Sequence, residues 1–460
     1  MTPQEVVERA VELSAADGCV VVAEESSAAN LRWAGNTLTT NGVSHARALT
    51  VVAVVDGAEG AASGVVSRSN VGMDEVERVV RLAEQSARAA GPAEDAALLV
   101  PGTAPGPEWA APPAETSAAV FSTFAPTLGE AFRAAKSQRR ELFGFAEHRM
   151  QTTYLANSAG LRLRHDQPTG RVEITGKADA RTKSSWVGRH TRDFTDIDVA
   201  ALDDDLRNRL GWAERSVELP AGRYETLLPP SALADLMVYL YWSATARDAV
   251  EGRSVFSRPG GGTRVGERLG DTPVNLYGDP GRRGLQTAPF VVTTASGPAS
   301  SVFDNGLPLD PTYWIRRGEL AALVQTRHSA GLTELPVTPA VGNLVLDVEQ
   351  PTGSLPDLVG RTRRGLLLTC LWYIREVDPR RLLLTGLTRD GVYLVENGEV
   401  TGAVTNFRFN ESPVDLLGRM TEVGDTEPTL PREWADWFTR AAMPPVRVAD
   451  FHMSSVSQAS

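Results

Sequence analysis

Metal chemistry needs clustered imidazoles, and in this chain they are scattered. The six histidines are His45, His148, His165, His190, His328 and His452, and no two lie within five positions. A zinc-binding helix places two imidazoles, with a carboxylate, on one face about a turn apart, and no such helix can be drawn here. Glu147-His148 carries two of the residue types in reversed order without a second histidine at helical spacing, and reads as structural. Phosphate chemistry fares no better. GRVEITGK, residues 170–177, has five residues between its glycines where a phosphate loop has four, and Ala178 follows where Ser or Thr would meet Mg²⁺. PGGGTRVGERLG, residues 259–270, fits no dinucleotide fingerprint and reads as a loop at a domain or subunit edge. There is no Gly-x-Ser-x-Gly elbow, and none of the three lysines completes a Ser-x-x-Lys pair.

Binding chemistry is better represented. LWYIREVDPRR and NFRFNES interleave aromatic, amide and guanidinium groups, and Tyr373, Arg375, Asn406, Arg408 and Asn410 are candidates for holding an extended peptide by its backbone. The plainer reading pairs Arg375 and Arg408 with carboxylates such as Glu376 and Glu411 and confines them to strand packing. Trp434, Trp437 and Phe438 offer either a partner-binding aromatic patch or a cap on the core.

These groups need a scaffold, and 460 residues imply two or three cores. The formal charge is −11, with basic residues dispersed among acidic ones, which argues against nucleic acid or an anionic membrane as partner. Cys19 and Cys370 sit in apolar runs and are expected to be buried, reduced thiols. Thr2, Pro3 and Glu5 open the chain as a capped helix and not as a secretion signal, and the apolar runs stay near ten residues, so a cytoplasmic protein is expected.

The pattern along the chain predicts an α+β fold with an N-terminal α/β unit and a large antiparallel, β-rich C-terminal domain. Residues 1–105 read as helix, three strands (CVVVAEE, AANLRWAGN, ALTVVAVVDG) and a helix over residues 73–90. A proline-rich stretch over 91–115 marks a boundary. Residues 106–220 read as helices followed by antiparallel strands, with a hairpin turn at Asn157-Ser158 and Gly160, then a short helix over 203–210. Residues 221–460 begin with a helix capped by Ser231 and running towards Gly252, followed by strands and a tight hairpin at Asn397-Gly398.

Several of these segments, in order, resemble the TldD/PmbA metallopeptidase family: LRWAGN with its following strand, TTYLANSAGLRLRH, and most specifically RRLLLTGLTRDGVYLVENGEVTGAVTNFRFNESPVDLL. The resemblance implies the family's full architecture. It also implies where a metal would sit, because catalytic TldD-type subunits carry His-Glu-x-x-x-His on a helix and a later cysteine ligand. Aligning Glu251-Gly252 with the family's Glu-Gly puts Ser243, Ala244 and Asp248 at the ligand positions, and no cysteine follows Cys370. The resemblance therefore points to a TldE/PmbA-like chain with no metal of its own, paired with a TldD-like catalytic subunit that holds the zinc and processes peptides. The alternatives are a stand-alone homodimeric protein that binds a peptide or small molecule, and a hydrolase with a site rebuilt from Asp248, Glu251 or His328.

Overall fold

The computed structural model describes residues 2–102 and 105–457. The chain opens with helix α1 (Pro3–Leu13), where the Thr2 hydroxyl accepts from Glu5 N–H and the Glu5 carboxylate accepts from Thr2 N–H, the reciprocal cap its sequence predicts. Strands β1 (Gly18–Ala34), β2 (Thr37–Gly57) and β3 (Gly60–Ser69) follow, then α2 (Met73–Ala89). After α3 (Phe124–Ser137) come β4 (Glu141–Asn157), β5 (Arg162–Ala178), β6 (Lys183–Thr191) and α4 (Val199–Trp212).

All six strands form one antiparallel sheet in the order β3-β2-β1-β4-β5-β6. The ladder between β1 and β4, from Val20 opposite Asn157 to Trp33 opposite Gly144, ties residues 18–69 to residues 141–191. CVVVAEE and AANLRWAGN are thus parts of one 17-residue strand, and β3 was not foreseen as a strand. One face of this sheet carries the helices: Val6, Val7 and Ala10 of α1 and Val76, Val80 and Ala83 of α2 pack on Val21, Val51 and Ala53, while Phe124 and Leu128 of α3 pack on Leu31 and Trp33. The proline-rich connector lies along the sheet, with Trp109 edge-on to Tyr154 and the Asn157 amide donating to Val100 O at 2.7 Å. At the expected β4–β5 turn, Asn157 Oδ1 accepts from the N–H groups of Ala159 and Leu161, and Gly160 takes a φ of +90°.

The C-terminal half holds the largest apolar core, built on helix α5 (Pro230–Ser243) and two sheets. The larger runs Leu371–Asp378, Leu383–Thr388, Phe407–Glu411, Val446–Val456, Gly222–Leu228, Arg364–Leu368, Val392–Glu396, Glu399–Val404, Ser216–Val217. The hairpin predicted at Asn397-Gly398 is present, both residues having positive φ. The second sheet runs Glu319–Leu320, Thr312–Arg316, Asn275–Gly278, Leu344–Asp347, Ala441–Met443, Glu427–Thr429. Among the described residues no helix is long and apolar enough to cross a membrane. Cys19 and Cys370 are free and buried, and burial pushes the Cys19 thiol up to about 11.

Candidate functional site

Helix α5 forms from an almost wholly apolar sequence entered through Pro229-Pro230, a proline at its first turn taking the place of the expected Ser231 cap. It does not continue to Gly252. Ala244 O accepts the N–H of Val324 at 2.7 Å and Ala246 N–H donates to Val324 O at 3.0 Å, so a distant strand-like segment takes the groups that the next helical turn would need. Thr245 then caps a separate short helix, α6 (Ala246–Val250).

This break falls on the positions where the family resemblance places metal ligands. Ser243 Oγ, at the end of α5, donates to Tyr239 O at 2.9 Å. Ala244 has no donor atom and is only 1% exposed. Asp248, on α6, accepts from Thr245 Oγ1 at 2.6 Å and from Arg253 Nη2 at 2.7 Å. Glu251 pairs with Arg247 and Arg253, and His328 lies on α7 (Arg327–Thr333). One bare methyl group, one hydroxyl and one neutralised carboxylate do not fit a zinc ion. Among the described residues no three His, Cys, Asp or Glu side chains gather as a metal-binding group. His148 donates or accepts at Thr116 Oγ1 (2.7 Å) and Arg192 O (2.8 Å), and burial lowers its basicity, a structural use of the ring.

Beside the break lies an open sheet edge. Leu371–Asp378 is the outermost strand of the larger sheet and carries a bulge between Trp372 and Arg375, where Tyr373 has a φ of +52° and is exposed. Glu433 binds this strand to α5: its Oε1 accepts from Ile374 N–H at 3.2 Å and sits 3.6 Å from Arg375, while its own N–H donates to Asp235 Oδ1 at 2.9 Å. Tyr239 bonds to the backbone of Glu376, whose acidity is weakened by burial and then by Asp378 and Asp248. Tyr239, Trp242, Trp434 and Trp437 form a chain of ring contacts along this flank, and Trp437 is 72% exposed. Of the expected C-terminal aromatics, Trp434 and Phe438 are therefore buried and Trp437 is presented to solvent.

The peptide-binding candidates divide. Cross-strand register lines up Arg375, Thr385 and Asn410 in one row. Among the described residues the alternative pairing with Glu376 and Glu411 is not seen: Arg375 meets Glu433, Arg408 Nη1 reaches Thr385 Oγ1 at 3.5 Å, and Glu411 is held by Arg419 and by His452 N–H. Asn410 lines a separate cavity of about 310 Å³ with Arg223, Arg381, Arg419 and His452. Asn406 precedes that strand, and its carbonyl accepts from Ser457 N–H. Asp235, Tyr239 and Glu433 were missing from the sequence reading, although Asp235 carried a signal, as the one acid inside the apolar run of α5.

Residues 221–455 match the family described as the PmbA/TldA metallopeptidase C-terminal domain, and residues 108–219 match its central domain. The chain belongs to the TldD/PmbA family. No curated protein sequence matches it. Its fold is shared with TldE from Thermococcus kodakarensis (TM-score 0.79, 16% identity, 98% of this chain and 99% of that one). A proposed modulator of a DNA gyrase from Thermotoga maritima is similar at TM-score 0.76 and 18% identity, covering 98% and 99%. A proposed modulator of DNA gyrase from Bacteroides thetaiotaomicron is similar at TM-score 0.74 and 14% identity, covering 99% and 98%. At these identities the likeness is one of fold.

Proposed function

We propose that this TldD/PmbA-family protein is a TldE/PmbA-like subunit, without a catalytic metal of its own, that pairs with a TldD-like subunit to process peptides. The observation that carries this reading is the interrupted helix, with Ser243, Ala244 and Asp248 engaged or inert in a scaffold otherwise kept. In this reading a TldD-like partner would hold the zinc and supply the metal-activated water for peptide hydrolysis. The contribution of this chain is to complete the cleft wall and guide an extended substrate, for which the edge strand supplies the exposed side chains of Tyr373 and Arg375 and the Trp437 flank supplies aromatic surface. Co-purification of this chain with a tagged TldD-like candidate, followed by metal analysis and a peptidase assay of each species, tests it. Activity and zinc are expected in the mixture and in the partner, and a mixture no more active than the partner alone would overturn it.

A further inference from the structure

The cavity of about 310 Å³ at Asn410 is assembled from hydrogen-bond donors on three neighbouring strands of the larger sheet. In Phe407–Glu411 and Val446–Val456, Phe409, Phe451 and Met453 are buried in the core, so their alternating neighbours Asn410 and His452 stand on the outer face. Phe409 lies opposite Met453, which brings Asn410 beside His452, and His452 lies opposite Arg223 of Gly222–Leu228. The three side chains form a row across the sheet. Arg381 adds a fourth donor from the turn before Leu383–Thr388, where its backbone carbonyl accepts from Ser412 Oγ at 2.8 Å.

The charges around this cavity do not cancel. Glu411 is buried, is paired with Arg419 and accepts the backbone N–H of His452 at 2.6 Å, so its charge is already met. Arg223 Nη1 donates to Asp450 O at 3.0 Å, but neither Arg223 nor Arg381 meets a carboxylate among the described residues. The Asn410 amide and the His452 ring likewise have no partner among them. Asn410 Oδ1 is closed off from solvent, which leaves the amide N–H groups as the end that a ligand can reach. Asp415 is the one acid of the lining that is exposed and unpaired among the described residues. In a chain of formal charge −11, two free guanidinium groups facing one free carboxylate mark an anion site.

We propose that this cavity binds inorganic phosphate. Arg223 and Arg381 take its charged oxygens, and the Asn410 amide and one ring nitrogen of His452 donate to the same ion. Donors that converge from three strands and a turn suit a tetrahedral ion with four oxygens, whereas a carboxylate offers two oxygens in one plane. Asp415 selects among oxyanions. Its carboxylate can accept the P–OH of phosphate, while sulfate near neutral pH has no O–H to offer and is repelled. The cavity lies at the lower end of the range for small-molecule sites, about 300–1,000 Å³, as a ligand this small requires. The site is independent of the metal and peptidase readings, and so is its test.

The test is calorimetric titration of the full chain with inorganic phosphate, sulfate and glycerol 2-phosphate at neutral pH and constant ionic strength. Phosphate is expected to bind saturably, one per chain, and sulfate at least about tenfold more weakly, the worth of one charge-assisted hydrogen bond. Glycerol 2-phosphate is also expected to bind more weakly, because a monoester with a second pKa of about 6 is largely without its P–OH at neutral pH. Arg223→Gln and Arg381→Gln are each expected to weaken phosphate binding by about tenfold or more with an unchanged melting midpoint, since both side chains are exposed. Asp415→Asn is expected to remove the preference for phosphate over sulfate while both ions still bind. No saturable phosphate binding, sulfate or the monoester bound as tightly as phosphate, or phosphate binding kept in both arginine variants would each overturn the proposal.

Discussion

Ala244 and Val324 are joined as if in a ladder, Val324 N–H donating to Ala244 O at 2.7 Å and Val324 O accepting from Ala246 N–H at 3.0 Å. These two bonds end α5, and they do so at the turn that would have to carry a metal-binding motif. On the proposed reading, the backbone as well as the side chains then departs from a metal-binding helix.

Restoring the side chains is therefore not expected to restore the site. In the triple variant Ser243→His, Ala244→Glu, Asp248→His, the new glutamate enters a buried position with no partner, at a cost of several kcal/mol. The third change also removes the carboxylate that holds Arg253 and Thr245. Denaturant unfolding is expected to show the loss of stability, and equilibrium dialysis to show less than one equivalent of zinc.

Asp235 gives a pH dependence with a definite sign. Its side chain is fully buried, Oδ1 accepts from Glu433 N–H and Oδ2 has no partner among the described residues, so burial raises its pKa well above 3.8 in spite of that hydrogen bond and nearby Arg432. The folded protein holds this proton more tightly than the unfolded chain, so the stability linked to it is complete below about pH 3.8 and is lost as pH rises through the folded pKa. Asp235→Asn keeps the acceptor and removes the titration. Its melting midpoint is expected to exceed the wild type by a margin that is absent below about pH 3.8 and widens as pH rises from there towards the raised folded pKa. A constant margin would mean that Asp235 does not titrate in this range.

Arg140 and Asp203 form a bidentate pair at 2.7 and 2.8 Å, both buried, fastening the start of β4 to α4. Asp203→Ala leaves a buried guanidinium uncompensated and is expected to cost about 3–5 kcal/mol in urea unfolding. Arg140→Met with Asp203→Leu, which removes both charges and fills the space, is expected to recover most of the loss.

What was legible in the sequence was local. The α1 cap, the Asn157 turn and the Asn397-Gly398 hairpin depend on residues within a few positions of one another, and each is present. CVVVAEE and AANLRWAGN read as two strands because Ser26 and Ser27 interrupt the apolar signal, yet the ladder with Leu155 through Arg149 carries the strand through them. The helix read from Ser231 towards Gly252 has helical periodicity in its first turns, and it ends where Ala244 and Ala246 pair with Val324, about eighty residues away. Arg375 has Glu376 as its neighbour in sequence, whereas in the structure it meets Glu433 from another segment. Partners chosen across the fold leave no mark in local spacing.

The account rests on a kept fold with a lost metal site, and the zinc content of the purified chain, measured by mass spectrometry beside its peptidase activity, tests it most directly. The expected result is no stoichiometric zinc and no cleavage by this chain alone. Zinc near one equivalent, lost together with peptide cleavage on Asp248→Ala, would contradict it.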